Sequence, residues 1–159
     1  MKTGHMTFNR ITKLAAIAMA LVIVLSCNKM IIFRDSFISF VAEESSSTYI
    51  DAAGDWTGSY KIRYTGEKPS EPITVSFGIT AGDGLVEGTD YELVTTGGHV
   101  TLLPGVFEQS IKIHWLSHTL DEIKDNSLTI SLLSADGVRL GYPGPSELMK
   151  SITIKKYNN

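Results

Sequence analysis

The chain has 159 residues, 43% of them hydrophobic, which suits one globular domain and excludes a disordered chain. Three of its 14 Lys and Arg residues, but none of its 17 Asp and Glu residues, precede Cys27. The part from Cys27 onward therefore carries a net charge of about −6. Because phosphate backbones and anionic membranes are bound by clustered Lys and Arg, neither nucleic acid nor a polybasic contact with a membrane is expected.

The first 26 residues have the features of an export signal. Lys2, Arg10 and Lys13 form a positive segment, and residues 14–25 are an apolar run. A membrane-spanning helix needs about 20 apolar residues, so this run is too short to span and has the length of a signal-peptide core. Residues 1–26 are predicted to be a cleaved signal peptide, whether translation begins at Met1 or at Met6.

The segment Val24-Leu25-Ser26-Cys27 resembles a lipobox, with an aliphatic residue, a small residue and then a thiol. The thiol is the nucleophile that takes up a lipid, so Cys27 is the predicted lipidation site. It is the chain's one cysteine, which excludes an intramolecular disulfide. Two acyl chains hold a protein stably on a membrane. The prediction is an envelope lipoprotein, expected at the outer membrane, with a tether over residues 27–35; which face of the membrane carries it stays open.

Residues 36–159 are predicted to form one β domain. Apolar and polar residues alternate along several segments, which is typical of strands with one buried and one wet face. The alternating segments are residues 60–64, 73–80, 111–115, 128–132 and 152–154, and further strands are predicted over 37–41, 91–94 and 100–103.

Turn residues separate these strands and suggest how they are connected. Gly97-Gly98 is typical of a tight hairpin and predicts that the strands over 91–94 and 100–103 pair with each other. No segment after Cys27 has a clear helical period, although residues 121–126 could form one turn. The prediction is a single antiparallel, Ig-like β-sandwich of about seven strands.

Three motifs in the middle of the chain carry a resemblance to a known family. They are Gly88-Thr89-Asp90-Tyr91, then Val100-Thr101-Leu102-Leu103-Pro104-Gly105, then Ser110-Ile111-Lys112-Ile113. Together they resemble the Calx-beta domain, and the whole exported part is similar to small Bacteroidota-type lipoproteins with a Calx-beta-like domain of unknown function. The resemblance implies a β-sandwich and a non-catalytic role.

The resemblance also implies where calcium would bind, at acidic residues at one end of the sandwich. Ser117-His118 stands where the family has an acidic pair, and nearby acids remain at Asp121, Glu122 and Asp125. Calcium takes six to eight oxygen ligands. Calcium is therefore not expected as a cofactor, and Asp90, Asp121, Glu122 and Asp125 are weak candidate ligands. Asp90 is expected to close a turn on its own backbone.

Other candidate sites are few. His99, His114 and His118 lack the spacing of a zinc site, and no nucleophile motif is present, so no catalytic residue is assigned and an enzyme is not expected. Trp56, expected in a glycine-flanked loop, and Tyr142 are weak candidates for side chains that face a ligand.

The leading hypothesis is a non-catalytic binding or accessory module at the envelope, with a protein or glycan partner and by analogy beside a glycan-uptake system. The alternatives are a calcium-stabilised adhesion module, which requires bound calcium, and an enzyme, which requires convergent titratable groups.

Overall fold

Two five-stranded β-sheets face each other in the computed structural model, which describes residues 35–159. The predicted all-β sandwich is confirmed. The predicted signal peptide, Cys27 and nearly all of the tether lie outside the described residues. In spatial order, the first sheet consists of β5 (Tyr91–Leu93), β7 (Glu108–Trp115), β3 (Trp56–Thr65), β1 (Phe37–Phe40) and β9 (Arg139–Leu140). The second sheet consists of β2 (Tyr49–Asp51), β10 (Ser151–Tyr157), β8 (Ser127–Ala135), β4 (Ile73–Ala81) and β6 (His99–Leu102), and a short 3-10 helix spans Ala42–Glu44.

The alternating residues of each strand form the core between the sheets. Ile111, Ile113 and Trp115 of β7 are all fully buried, as the alternation predicts. The indole nitrogen of Trp115 donates a hydrogen bond of 3.0 Å to the hydroxyl of Tyr60 on β3. Burial raises the pKa of Tyr60 to about 12. Gly58 leaves the space for this pair, since a Cβ there would lie 2.9 Å from the Tyr60 hydroxyl.

The sandwich has more strands than predicted, because two short edge strands show no alternation and were not predicted. β2 has three residues and β9 has two, too few to show an alternation. Each pairs in parallel with a longer strand, β2 with β10 and β9 with β1, whereas every other strand pairing is antiparallel. They extend the two sheets at their edges and leave the predicted architecture unchanged.

The predicted hairpin at Gly97-Gly98 is wrong. Both glycines have the positive φ of a tight turn, at 81° and 68°. However, β5 before the turn pairs with β7 in the first sheet, and β6 after it pairs with β4 in the second. The turn therefore carries the chain across from one sheet to the other. Alternation shows that a strand has a buried face, but both sheets bury their faces in the same core, so it does not show which sheet a strand joins.

Strand directions define two ends of the sandwich. β1 begins at Phe37, opposite the last residue of β3, Thr65. The end where β1 begins is here called the Phe37 end. The other is called the Lys156 end, because β10 finishes there beside the start of β8. No helix within residues 35–159 combines the length and apolar character needed to cross a membrane.

Candidate functional site

A buried ion pair lies at the Lys156 end. Lys156 and Asp90 are each 1% exposed. The Lys156 Nζ donates to the backbone oxygens of Leu116 at 2.7 Å and Asp90 at 3.3 Å, and it lies 3.4 Å from Asp90 Oδ1. Burying a charge is costly unless it is paired and hydrogen-bonded, and both conditions are met here.

The Asp90 carboxylate bonds the backbone of its own loop and also joins that loop to two other segments. Its Oδ2 accepts a hydrogen bond of 2.9 Å from the backbone N–H of Val86, and its Oδ1 lies 3.0 Å from Nδ1 of His118. The His118 side chain is half exposed. The loop before β5, the loop after β7 and the end of β10 are thus fixed to one another by a single carboxylate.

Lys156 was missed in the sequence, although one signal for it exists. The chain there has two lysines in succession, Lys155 and Lys156. Position 156 continues the alternation of Ile152 and Ile154, which are both buried, so the period-two pattern directs Lys156 inward and Lys155 outward. The alternation therefore identifies which of the two lysines is buried. Because lysines are almost never buried unless they are paired, an acidic partner is then expected.

The structure does not assemble the weak metal candidates into one site. Oxygen atoms converge at the Lys156 end, but the ammonium group of Lys156 is at their centre. The acids of the loop after β7 bind nearby groups instead: Asp121 accepts from the N–H of Ile123, Asp125 from Ser127, and Glu122 from the side chain of Asn158. Across residues 35–159, no group of three or more His, Cys, Asp or Glu side chains is arranged to hold a metal ion.

An open cleft of about 530 Å³ lies beside His118, walled by Ala52, Ala53, Ser117 and Asn158. The titratable side chains that line it are His118 and Asp51, and Asp51 accepts a hydrogen bond from the backbone of Ala53. The histidines are dispersed: His114 contacts Asp55 and Thr57, while His99 contacts the oxygen of Gly97. A catalytic site needs several titratable groups that converge on one point, and this cleft does not provide them.

The two aromatic candidates for ligand contact lie far apart. Trp56 was predicted to lie in a loop, and this is wrong. It is the first residue of β3, where it pairs with Trp115 and packs against the core. The loop prediction failed because Gly54 and Gly58 interrupt the pattern on either side of it. Tyr142 is 44% exposed and contacts the ring of Phe37 edge-on at 5.6 Å. Since Phe37 lies opposite the far end of β3, Trp56 and Tyr142 share no surface.

The outer face of the second sheet carries many hydroxyl groups, together with one large exposed apolar side chain, Leu133 of β8, which lies against Gly78 of β4. Thr129 of β8 pairs with Thr153 of β10 and with Thr80 of β4, and Ser131 pairs with Ser151. The hydroxyls of Thr129 and Thr153 are hydrogen-bonded at 2.9 Å. This surface is called the hydroxyl face; its members are the outward Ser and Thr residues Thr74, Ser76, Thr80, Thr101, Ser127, Thr129, Ser131, Ser151 and Thr153, together with Tyr49 and Tyr157.

Two exposed tyrosines lie at one side of the hydroxyl face. Tyr49 of β2 is 68% exposed and Tyr157 of β10 is 43% exposed. Tyr49 pairs with Lys155 and Tyr157 pairs with Asp51, so the tyrosines are diagonal neighbours on adjacent strands. Strands are ~4.8 Å apart and two residues rise ~6.6 Å, so the Cα atoms of these tyrosines are ~8 Å apart, within reach of one another's rings. Lys155 and Asp51 add opposite charges between them.

The outer face of the first sheet is different, because it carries a network of ion pairs. Lys61 and Arg63 of β3 each bind both Glu44 and Glu108, with Lys61 Nζ 2.7 Å from Glu44 and 3.0 Å from Glu108. These partners lower the pKa of both glutamates and raise the pKa of Lys61 and Arg63. The network fastens the 3-10 helix to the sheet. The two outer faces therefore differ in chemistry: one is ionic and internally neutralised, the other is mostly uncharged.

Comparison with known proteins identifies the fold. The structure described as "Crystal structure of CBD12 from CALX1.2" matches with a TM-score of 0.52 and 21% sequence identity, over 76% of this chain and 45% of that chain. This chain thus spans less than half the length of that one. No family model and no curated protein matches the sequence. The fold is Calx-beta-like, as the motifs around Asp90 and Pro104 predicted.

Proposed function

We propose that this Calx-beta-like sandwich is an envelope-anchored, non-catalytic module that binds a neutral glycan and works beside a glycan-uptake system. The observation that carries the proposal is the hydroxyl face, with its two exposed tyrosines and its row of Ser and Thr side chains. This surface replaces Trp56 and Tyr142 as the candidate ligand contact.

The chemistry of the hydroxyl face matches that of a neutral sugar polymer. Ser and Thr hydroxyls both donate and accept hydrogen bonds, as sugar hydroxyls do. A tyrosine ring offers an apolar surface of fixed shape to the C–H face of a sugar, while its own hydroxyl stays solvated. A strongly charged ligand would be dehydrated on this face at a cost in free energy, because Thr80, Thr129 and Thr153 offer no opposite charge in return. A neutral, hydroxyl-rich ligand avoids that loss.

The anchor in the proposal rests on the sequence. Val24-Leu25-Ser26-Cys27 supports lipidation at Cys27, and two acyl chains would keep the protein on its membrane. We place the protein in the cell envelope, at the outer membrane. The calcium-stabilised adhesion alternative is less well supported, because Lys156 already supplies a positive charge among the oxygens at its end of the sandwich.

The lipid anchor has a direct test. Replacing Cys27 with Ser removes the thiol that takes up the lipid, so Cys27→Ser should lose incorporation of a palmitate analogue in growing cells and leave the membrane fraction. The measurement is metabolic labelling followed by fractionation, with Ser26→Ala as the control because it keeps a small residue before the thiol. Undiminished labelling of Cys27→Ser would contradict the anchor.

Binding through the hydroxyl face predicts a strong effect of its tyrosines. Tyr49→Ala and Tyr157→Ala should each weaken binding by about fivefold, since a stacked aromatic contributes ~1 kcal/mol. Binding is measured on a panel of neutral and anionic polysaccharides by affinity electrophoresis.

The matched control is Tyr142→Ala, an exposed tyrosine away from the hydroxyl face, which should bind like the parent. The proposal fails if the parent binds no neutral polysaccharide, or binds only anionic ones. It also fails if Tyr142→Ala weakens binding while Tyr49→Ala and Tyr157→Ala do not.

A further inference from the structure

An apolar turn projects from the Phe37 end of the sandwich. Residues 103–107, Leu-Pro-Gly-Val-Phe, connect β6 to β7 and contain no polar side chain. The N–H of Val106 donates to the oxygen of Leu103 at 2.8 Å, and Gly105 takes the positive φ of 81° that this turn requires. The turn nevertheless exposes its side chains: Leu103 is 58% exposed and Val106 and Phe107 are each 38% exposed.

The turn is held beside the point where the described chain begins. Tyr64 joins the two: its backbone N–H donates to the oxygen of Phe107 at 2.8 Å, its ring lies 6.2 Å from that of Phe107, and its hydroxyl donates to Ser36 at 2.9 Å. Ser36 is nine residues after Cys27 in the sequence. The exposed turn and the start of the domain are thus adjacent on one end of the sandwich.

We infer that this turn inserts into the interface of the bilayer that holds the lipids of Cys27; the inference rests on the proposed lipid anchor. The nine Cα–Cα steps from Cys27 to Ser36 extend to at most ~32 Å, and the nine steps along the ten-residue β3 rise ~30 Å from one end of the sandwich to the other. The Phe37 end can therefore rest on the membrane with the tether slack, whereas placing the Lys156 end there would require the whole tether to run fully extended along the sandwich.

The side chains of this turn suit the interface between lipid tails and water. Leu103, Val106 and Phe107 would move apolar surface out of water, which favours binding in proportion to the area buried. Lys68 lies across the turn, since a Cβ on Gly105 would be 3.0 Å from its Cε. Lysines at the boundary of a membrane extend their ammonium group to the level of the lipid phosphates. Glu67 and Glu71 on the neighbouring loop are exposed, which limits insertion to the turn itself.

The experiment uses the full-length lipoprotein in vesicles of phosphatidylethanolamine and phosphatidylglycerol. Because lipidation consumes the Cys27 thiol, a single new cysteine can be labelled with an environment-sensitive fluorophore. Leu103→Cys reports on the turn, and Ile123→Cys is its matched control, a 96% exposed apolar residue in the loop after β7 at the Lys156 end. We expect lipids that carry a quencher to remove most of the fluorescence from position 103 and to leave position 123 unchanged.

Each result is decisive. Equal, water-like quenching at both positions would overturn the inference, and so would stronger quenching at position 123. If position 103 is shielded in cells but is not quenched by lipid in vesicles, its partner is a protein and the inference also fails. Failure of the anchor itself appears separately, as a Cys27→Ser variant that is still labelled with lipid. Both substituted residues are exposed, so melting temperatures close to that of the parent confirm that the fold is intact.

Discussion

Ile113→Asp should unfold the sandwich. Ile113 is fully buried on β7, where it lies opposite Gly58 of β3 and Leu93 of β5. An aspartate there would place an unpaired charge between the sheets, at a cost of several kcal/mol against a typical total stability of ~5–15 kcal/mol. Urea unfolding of the soluble form that lacks residues 1–27, followed by circular dichroism, measures the change.

The neighbouring Lys112→Asp is the control for this prediction. Lys112 is exposed, and its hydrogen bonds to Val94 and Thr95 are made by its backbone N–H and oxygen, which the substitution keeps. The cost should stay below ~1 kcal/mol, as is usual for exposed positions. The same contrast should hold between Val75, which is fully buried, and Ser76 on the outer side of β4. If Lys112→Asp unfolds the domain while Ile113→Asp melts like the parent, the register of β7 is shifted by one residue.

Lys156→Met should be nearly as destabilising, for an electrostatic reason. Its ammonium group is the buried partner of Asp90, and the Lys156 side chain is 0% exposed. Removing one partner of a buried ion pair leaves the other as an uncompensated charge, which costs ~3–5 kcal/mol. Methionine keeps most of the volume, so the loss of stability reports on the charge and its hydrogen bonds rather than on a cavity. The measurement is the urea midpoint at neutral pH.

Lys155→Met provides the matched comparison, because it removes the adjacent, exposed lysine and should change stability by less than ~1 kcal/mol. The double variant Lys156→Met with Asp90→Asn should recover part of the loss, since no full charge is then left buried. Equal effects of Lys155→Met and Lys156→Met would show that the ion pair does not stabilise the sandwich.

Sequence patterns predicted individual strands much better than their partners. Period-two alternation identifies a strand with a buried face, and on β3, β4, β7, β8 and β10 it was confirmed. It did not reveal that β5 and β6 belong to different sheets, because Gly97-Gly98 is compatible with a hairpin and with a crossing between layers. The edge strands at Tyr49 and Arg139 are held by the pairing of distant segments, which no local pattern records.

The candidate sites were harder to predict, because they depend on which side chains the fold brings together. Asp90 was identified as a turn residue, and its carboxylate does accept a hydrogen bond from nearby Val86, but its other partners, Lys156 and His118, are 66 and 28 residues away in the chain. The hydroxyl face follows from the outward positions of the strands once the order β2-β10-β8-β4-β6 is known. Before that order is known, its Ser and Thr residues are ordinary members of separate strands.

Thermal unfolding in the presence of calcium tests most directly whether this protein is a metal-independent binding module or a calcium-stabilised adhesion module. A ligand that binds the native state raises stability with its concentration. Because the Lys156 ammonium already lies among the oxygens of Asp90 and Leu116, we predict the same melting temperature in millimolar calcium and in millimolar magnesium. A melting temperature that rises by several degrees with calcium, and not with magnesium, would contradict the account and support the adhesion module.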